Sequence, residues 1–101
     1  MKWRYFGRTA GSVRIIQIYR WPDNGKRLLQ QAQEDVQYMN RRGEWVSGYM
    51  NKRGEWVSGL RDILIAEVWS GWFSENQDEL TEQRAMELID SWRKGEWPST
   101  L

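Results

Sequence analysis

Alternation is the first pattern along this chain. Between Lys2 and Arg8 the side chains change character from one residue to the next, so Lys2, Arg4 and Phe6 fall on one side of a strand and Trp3 and Tyr5 on the other. A turn is predicted at Thr9-Ala10-Gly11-Ser12. The following run, Val13 to Arg20, is rich in β-branched and aromatic residues and apolar on both faces in its middle, as suits a central strand. Together they predict a hairpin. Trp21-Pro22-Asp23-Asn24-Gly25 ends it, because Pro lacks a donor and Asn-Gly favours a turn. Over residues 26–35 the helical spacing of Leu28, Leu29, Ala32 and Val36 fits a helix of about two to three turns, and a strand also fits.

A duplication follows. Met39 to Tyr49 is succeeded directly by Met50 to Leu60, an 11-residue period that changes only at Arg41/Lys52 and Tyr49/Leu60, and Arg93-Lys94-Gly95-Glu96-Trp97 echoes its centre. Gly43, Gly48, Gly54 and Gly59 would each cost about 1 kcal/mol inside a helix, so the repeat reads as turn plus strand. Turns at Asn40 to Gly43 and Asn51 to Gly54 predict a three-stranded meander of Val36 to Met39, Glu44 to Met50 and Glu55 to Ser58. Loops with an even number of residues place Tyr38, Trp45, Tyr49 and Trp56 on one face, opposite Met39, Val46, Met50 and Val57. A three-residue loop with a bulge swaps these assignments, and either face can then be the buried one.

From Leu60 the period becomes helical, with Leu60, Ile63, Leu64, Val68 and Trp69 as one stripe and Gly71 as a stop. Trp72-Phe73-Ser74 is a short apolar link. A second helix, capped by Asp78 or Thr81, lines up Leu80, Ala85, Leu88, Ile89 and Trp92. Its acidic Glu79 and Glu82 lie near the positive N-terminal end, its basic Arg93 and Lys94 near the negative C-terminal end, and Gly95 closes it. The tail from Glu96 to Leu101 is expected to be loosely held unless Trp97 docks. The pattern predicts an α+β fold: an antiparallel β-sheet or meander covered by two C-terminal α-helices.

Charge sharpens this picture. The 15 Lys+Arg nearly cancel the 14 Asp+Glu, but residues 1–61 hold 12 basic and 5 acidic side chains whereas residues 62–101 hold 3 and 9. One domain over residues 1–101 is therefore expected, its basic, β-rich part (1–61) attracting its acidic, helical part (62–101). A chain of this length buries somewhat more than about 60% of its unfolded surface, a thin core that about half of the eight Trp are expected to fill.

Composition excludes most familiar chemistry. Without Cys or His there is no thiol nucleophile or thiolate metal site, and the usual general base and commonest metal ligand are missing. The carboxylate pairs Asp78/Glu82 and Glu75/Glu79 read as exposed groups rather than an acid and a base. Glu75 to Glu79 lacks the alternating oxygen ligands and central Gly of a calcium loop, and there is no Gly-rich phosphate loop or Gly-x-Ser-x-Gly. No catalytic residue, metal or cofactor is expected. The longest apolar run, Ile63 to Ala66, is far short of the roughly 20 residues of a membrane span, and the N-terminus lacks a signal-peptide apolar region. The expectation is a cytoplasmic protein without a membrane partner.

Binding is what remains. The duplicated hairpin offers Tyr38, Trp45, Tyr49 and Trp56 with the turn cations Arg41, Arg42, Lys52 and Arg53, a candidate surface for a protein partner. The alternative is a nucleic acid held by Lys2, Arg4, Tyr5, Arg8, Arg14 and Arg20, where phosphate-binding cations interleave with stacking aromatics. A homodimer through an unpaired sheet edge is a further expectation.

The order of short motifs resembles short uncharacterised proteins of actinobacteria and their phages. The residues that carry it are Tyr5-Phe6, Tyr19-Arg20-Trp21, Gly43-Glu44-Trp45-Val46, Leu60 to Ala66, and Thr81-Glu82-Gln83-Arg84-Ala85-Met86-Glu87-Leu88-Ile89. The doubled Gly-Glu-Trp-Val-Ser-Gly departs from that pattern, which has one copy. The resemblance implies no activity; it implies that a phage-borne chain of this kind would bind a host protein.

Overall fold

A computed structural model describes residues 2–10, 14–57 and 59–98, the side chains at 49, 50 and 56 apart. Strands β1 (Trp3–Ala10) and β2 (Arg14–Pro22) form the expected antiparallel hairpin. Arg8 faces Gln17 and Thr9 faces Ile15, so β2 carries a bulge at Ile16. The predicted turn begins later than Thr9, since Thr9 and Ala10 still belong to β1; residues 11–13 lie outside the described residues. Strands β3 (Gln37–Met39) and β4 (Trp45–Val46) add to the β2 side, and β5 (Tyr49–Met50) pairs with β6 (Trp56–Val57) in a separate ribbon. After α1 (Leu60–Trp69), the short β7 (Glu79–Leu80) pairs with the other edge of β1 and leads into α2 (Glu82–Arg93). The five-stranded antiparallel sheet thus runs β4-β3-β2-β1-β7, and the fold is α+β.

Alternation makes this sheet a two-sided core. Phe6, Tyr19 and Trp21 point to one face, where Leu28, Val36, Leu60, Leu64 and Phe73 close over them. Phe6 stacks on Trp21 at 3.7 Å between ring centroids, and Phe73 meets both edge-on. Tyr5, Ile18 and Met39 point to the other face, against Ala85, Ile89 and Trp92 of α2. The two helices therefore cover opposite faces. Thr81 caps α2, its Oγ1 accepting from the Arg84 N–H, while the Asp78 carboxylate accepts from the Ser74 N–H in the preceding loop. The opposite charges of the two parts meet within the sheet, Arg4 of β1 with Glu79 of β7 at 2.9 Å, between sheet and helix, Arg8 with Glu67 at 2.9 Å, and between loops, Arg27 with Glu75 at 3.8 Å.

Three local expectations are corrected. Residues 26–35 form neither a helix of several turns nor a strand, but two single 3₁₀ turns, Leu28–Gln30 and Gln33–Asp35. The buried Gln31 amide exchanges hydrogen bonds with Asn24 and donates to the Lys26 carbonyl, holding the chain in a tight bend that a helix would straighten. Leu28 and Val36 enter the core, whereas Leu29 and Ala32 face water. The predicted strand Glu44 to Met50 breaks at Ser47-Gly48 into β4 and β5, so the meander is interrupted; Ser58 lies outside the described residues. The expected stripe of α1 is also shifted: Leu60 and Leu64 are buried and Ile65 packs against them, but Ile63, Val68 and Trp69 are exposed.

Candidate protein-binding surface

The two turns of the duplication fold alike. Asn40 Oδ1 accepts from the N–H groups of Arg42 and Glu44 at 2.9 and 3.0 Å, and Asn51 Oδ1 accepts from Arg53 and Glu55 at the same distances. Gly43 and Gly54 take φ of 76° and 78°, the left-handed position of a three-residue loop with a bulge. That odd loop decides the pairing, Met39 with Trp45 and Tyr38 with Val46, then Met50 with Trp56 and Tyr49 with Val57. Tyr38 and Trp45 lie on opposite faces, as do the positions of Tyr49 and Trp56, and the expected four-aromatic face does not form. Tyr38 packs beside Phe6 and Tyr19 on the α1 side; Trp45 packs on the α2 side, 6.0 Å from Tyr5. Of the turn cations, Arg41 lies over the Trp97 ring at 5.6 Å, while Arg42, Lys52 and Arg53 are exposed.

The basic N-terminal residues are largely engaged within the fold. The Arg20 guanidinium is sandwiched between Trp3 and Trp45, 4.0 and 4.2 Å from their rings, and its Nε donates to Gln37 at 2.7 Å. Burial pulls its pKa below the ordinary arginine value, opposed by the partnership with Tyr5. Arg4 makes a two-pronged contact with Glu79, which raises the guanidinium pKa and lowers that of the carboxyl. Arg8 is paired with Glu67, and Tyr5 is buried. Lys2 and Arg14 remain exposed. The tail docks, as its tryptophan allowed: Trp97 packs 5.4 Å from Trp92, while residues 99–101 lie outside the described residues.

The surface that sequence reasoning missed lies on the outer side of α1. Seven of its ten residues are apolar, more than one buried stripe can absorb. Trp69 is 86% exposed, Leu29 70%, Trp72 69% and Val68 40%. Leu29, Val68 and Trp69 join Leu28 and Ile65 around an open groove of about 450 Å³, with Arg27 and Glu75 at its polar edge. Glu75 is mostly covered because it also accepts from the Leu28 N–H, whereas the Arg27 side chain is 68% exposed and leaves a cation at the edge. Of the seven tryptophans whose side chains are described, Trp21 and Trp92 are buried, Trp3, Trp45 and Trp97 pack half-buried against the core, and Trp69 and Trp72 are turned to water. The signal was present in the surplus of apolar residues between Ile63 and Phe73, which a single stripe does not explain.

The carboxylates considered for catalysis do not converge. Glu75 and Glu79 hold arginines, Asp78 holds a loop N–H, and Glu82 is exposed in the first turn of α2. Among the described residues no cluster of three or more carboxylates is placed to hold a metal ion, and no helix is long and apolar enough to cross a membrane. No protein-family model, curated protein or solved structure matches this chain.

Proposed function

We propose that this chain is a non-catalytic binding protein that docks on another protein through the outer face of α1. The observation that carries the reading is the cluster of Leu29, Val68 and Trp69 around an apolar groove, with large side chains left in water on a helix apolar on nearly every side. The partner segment presents an apolar anchor for the groove, flanked by an acidic side chain for the exposed Arg27. The resemblance to proteins of actinobacteria and their phages makes a host protein the first partner to test. Nucleic-acid binding is the weaker reading, because Arg4 and Arg8 are already paired with carboxylates and Arg20 lies between indoles.

The test is affinity capture from host cells with three folded chains: wild type, Leu29→Ser/Trp69→Ser, and Arg42→Ser/Lys52→Ser/Arg53→Ser. A protein recovered with wild type and the turn variant but lost with the groove variant is the expected result. Equal recovery with the groove variant overturns it. Salt-sensitive affinity for DNA or RNA, unchanged by the groove substitutions, would promote the alternative. Groove-dependent self-association in sedimentation would make the partner a second copy.

A further inference from the structure

Framed from Tyr38 rather than Met39, the duplication is closer than it first reads: residues 38–48 and 49–59 differ only at Arg41/Lys52. Each copy is one hairpin, with the same cross-strand register and the same two backbone N–H groups donating to its Asn Oδ1. Their surroundings differ. The first hairpin fills a slot beside β2, with Tyr38 opposite Tyr19, Met39 against α2, and the Gly43 carbonyl accepting from Arg93 at 3.0 and 3.1 Å. The second pairs in a ribbon separate from the sheet, with residues 52–55 exposed and open space around Gly54.

We propose that the two hairpins are alternative occupants of this one slot, so that residues 49–57 can replace residues 38–46 beside β2 by an 11-residue shift of the chain. The slot reads side chains and register, and the second copy presents the same residue as the first at every position of the hairpin's own ladder. The choice between them falls to the two places where their slot contacts differ. Gln37, which accepts from Arg20, has Gly48 as its counterpart, and Arg41, which lies over Trp97, has Lys52. Both differences favour the first hairpin, since Gly48 offers no acceptor and an ammonium lacks the planar stacking of a guanidinium.

Exchange also moves the chain on either side. Residues 37–47 would join the loop that follows Val36, and only Ser58 and Gly59 would remain between the seated hairpin and Leu60. Gly59 gives α1 no side-chain cap, so the first turn of that helix is the segment most easily drawn out to span the gap. The choice of hairpin and the N-terminal end of α1 are thereby linked.

A double-mutant cycle tests this. Asn40→Ala/Gly43→Val disables the first turn, Asn51→Ala/Gly54→Val the second, and a fourth chain carries both sets, with folding equilibria measured by urea unfolding. If the second hairpin substitutes for the first, disabling the second turn costs tenfold or more in the folding equilibrium when the first is already disabled, yet little in the wild-type background. The Arg20 side-chain NMR signal of the first-turn variant should also keep the ring-current shift of a guanidinium between indoles. Equal cost of the second-turn substitutions in both backgrounds, or failure of the first-turn variant to fold where the second-turn variant folds, overturns the proposal. Should valine prevent folding of every altered chain, the same cycle is read with Gly43→Ala and Gly54→Ala.

Discussion

The two helices cover opposite faces of the sheet, and only one of them is finished toward water. α2 places Ala85, Ile89 and Trp92 inward and turns Glu82, Gln83, Arg84, Glu87 and Asp90 outward, so one stripe accounts for most of its apolar residues. α1 buries Leu60 and Leu64 in the same manner but carries Ile63, Ala66 and Trp69 on its outer side. A solvated helix gains nothing from exposed tryptophan, so the contrast separates a helix whose large apolar side chains mostly pack inward from one that leaves several in water.

The sharpest way to break that comparison is to truncate a tryptophan on each helix. Trp92→Ala should lower stability by about 3–5 kcal/mol, because its ring is buried between the sheet and Trp97. Trp69→Ser should change stability by no more than about 0.5 kcal/mol, because its ring contributes to no buried cluster. Chemical denaturation of the two variants measures both, and similar losses would erase the distinction between the helices.

The α1 side also predicts an alkaline limit. Tyr19 lies beneath Phe73, and burial, with the charge of Glu67 from α1, pushes its phenol from 10.0 up to about 12. The neutral phenol is the form that the fold favours. Its stabilisation is therefore complete below the ordinary value of 10 and lost as pH rises from there through about 12, amounting to about 2–3 kcal/mol. Tyrosinate absorbance followed together with circular dichroism should show Tyr19 ionising with unfolding; ionisation near pH 10 in the folded state would mean that α1 covers it less closely.

The smallest effect lies where the chain approaches α2. The Arg4 guanidinium holds the Glu79 carboxyl below its ordinary value of 4.5, so the pair's contribution is present above that pH and is lost as pH falls through the lower folded value. Both groups are partly exposed, and solvent screening limits the contribution to well under about 1 kcal/mol. Glu79→Gln should flatten the acid limb of the stability profile by that amount, and an unchanged limb would assign acid sensitivity to other carboxylates.

Much of the fold was legible because local pattern and tertiary environment agreed. Trp3-Arg4-Tyr5-Phe6 alternates between two faces, and both are buried, each beneath a different helix. The α2 stripe held for Ala85, Leu88, Ile89 and Trp92, whereas Leu80 belongs to β7 and Met86 is exposed. The site was less legible, since the pairing of Tyr38 and Trp45 depends on loop parity, and the left-handed Gly43 adds the residue that places them apart. β7 has two residues and no period to detect.

Sequence by itself determined the strand and helix types, the identical turns, the division of charge and the exclusion of thiol and imidazole chemistry, because these depend on residue identity and short spacings. Only the tertiary structure decided which apolar residues were left over. Leu60, Leu64 and Ile65 are the α1 side chains that reach the core on this face, and Trp69, equally apolar, stays outside. The same limit separates the two hairpins: β2 has one free edge, the first copy occupies it, and an almost identical second copy remains beside a place already filled.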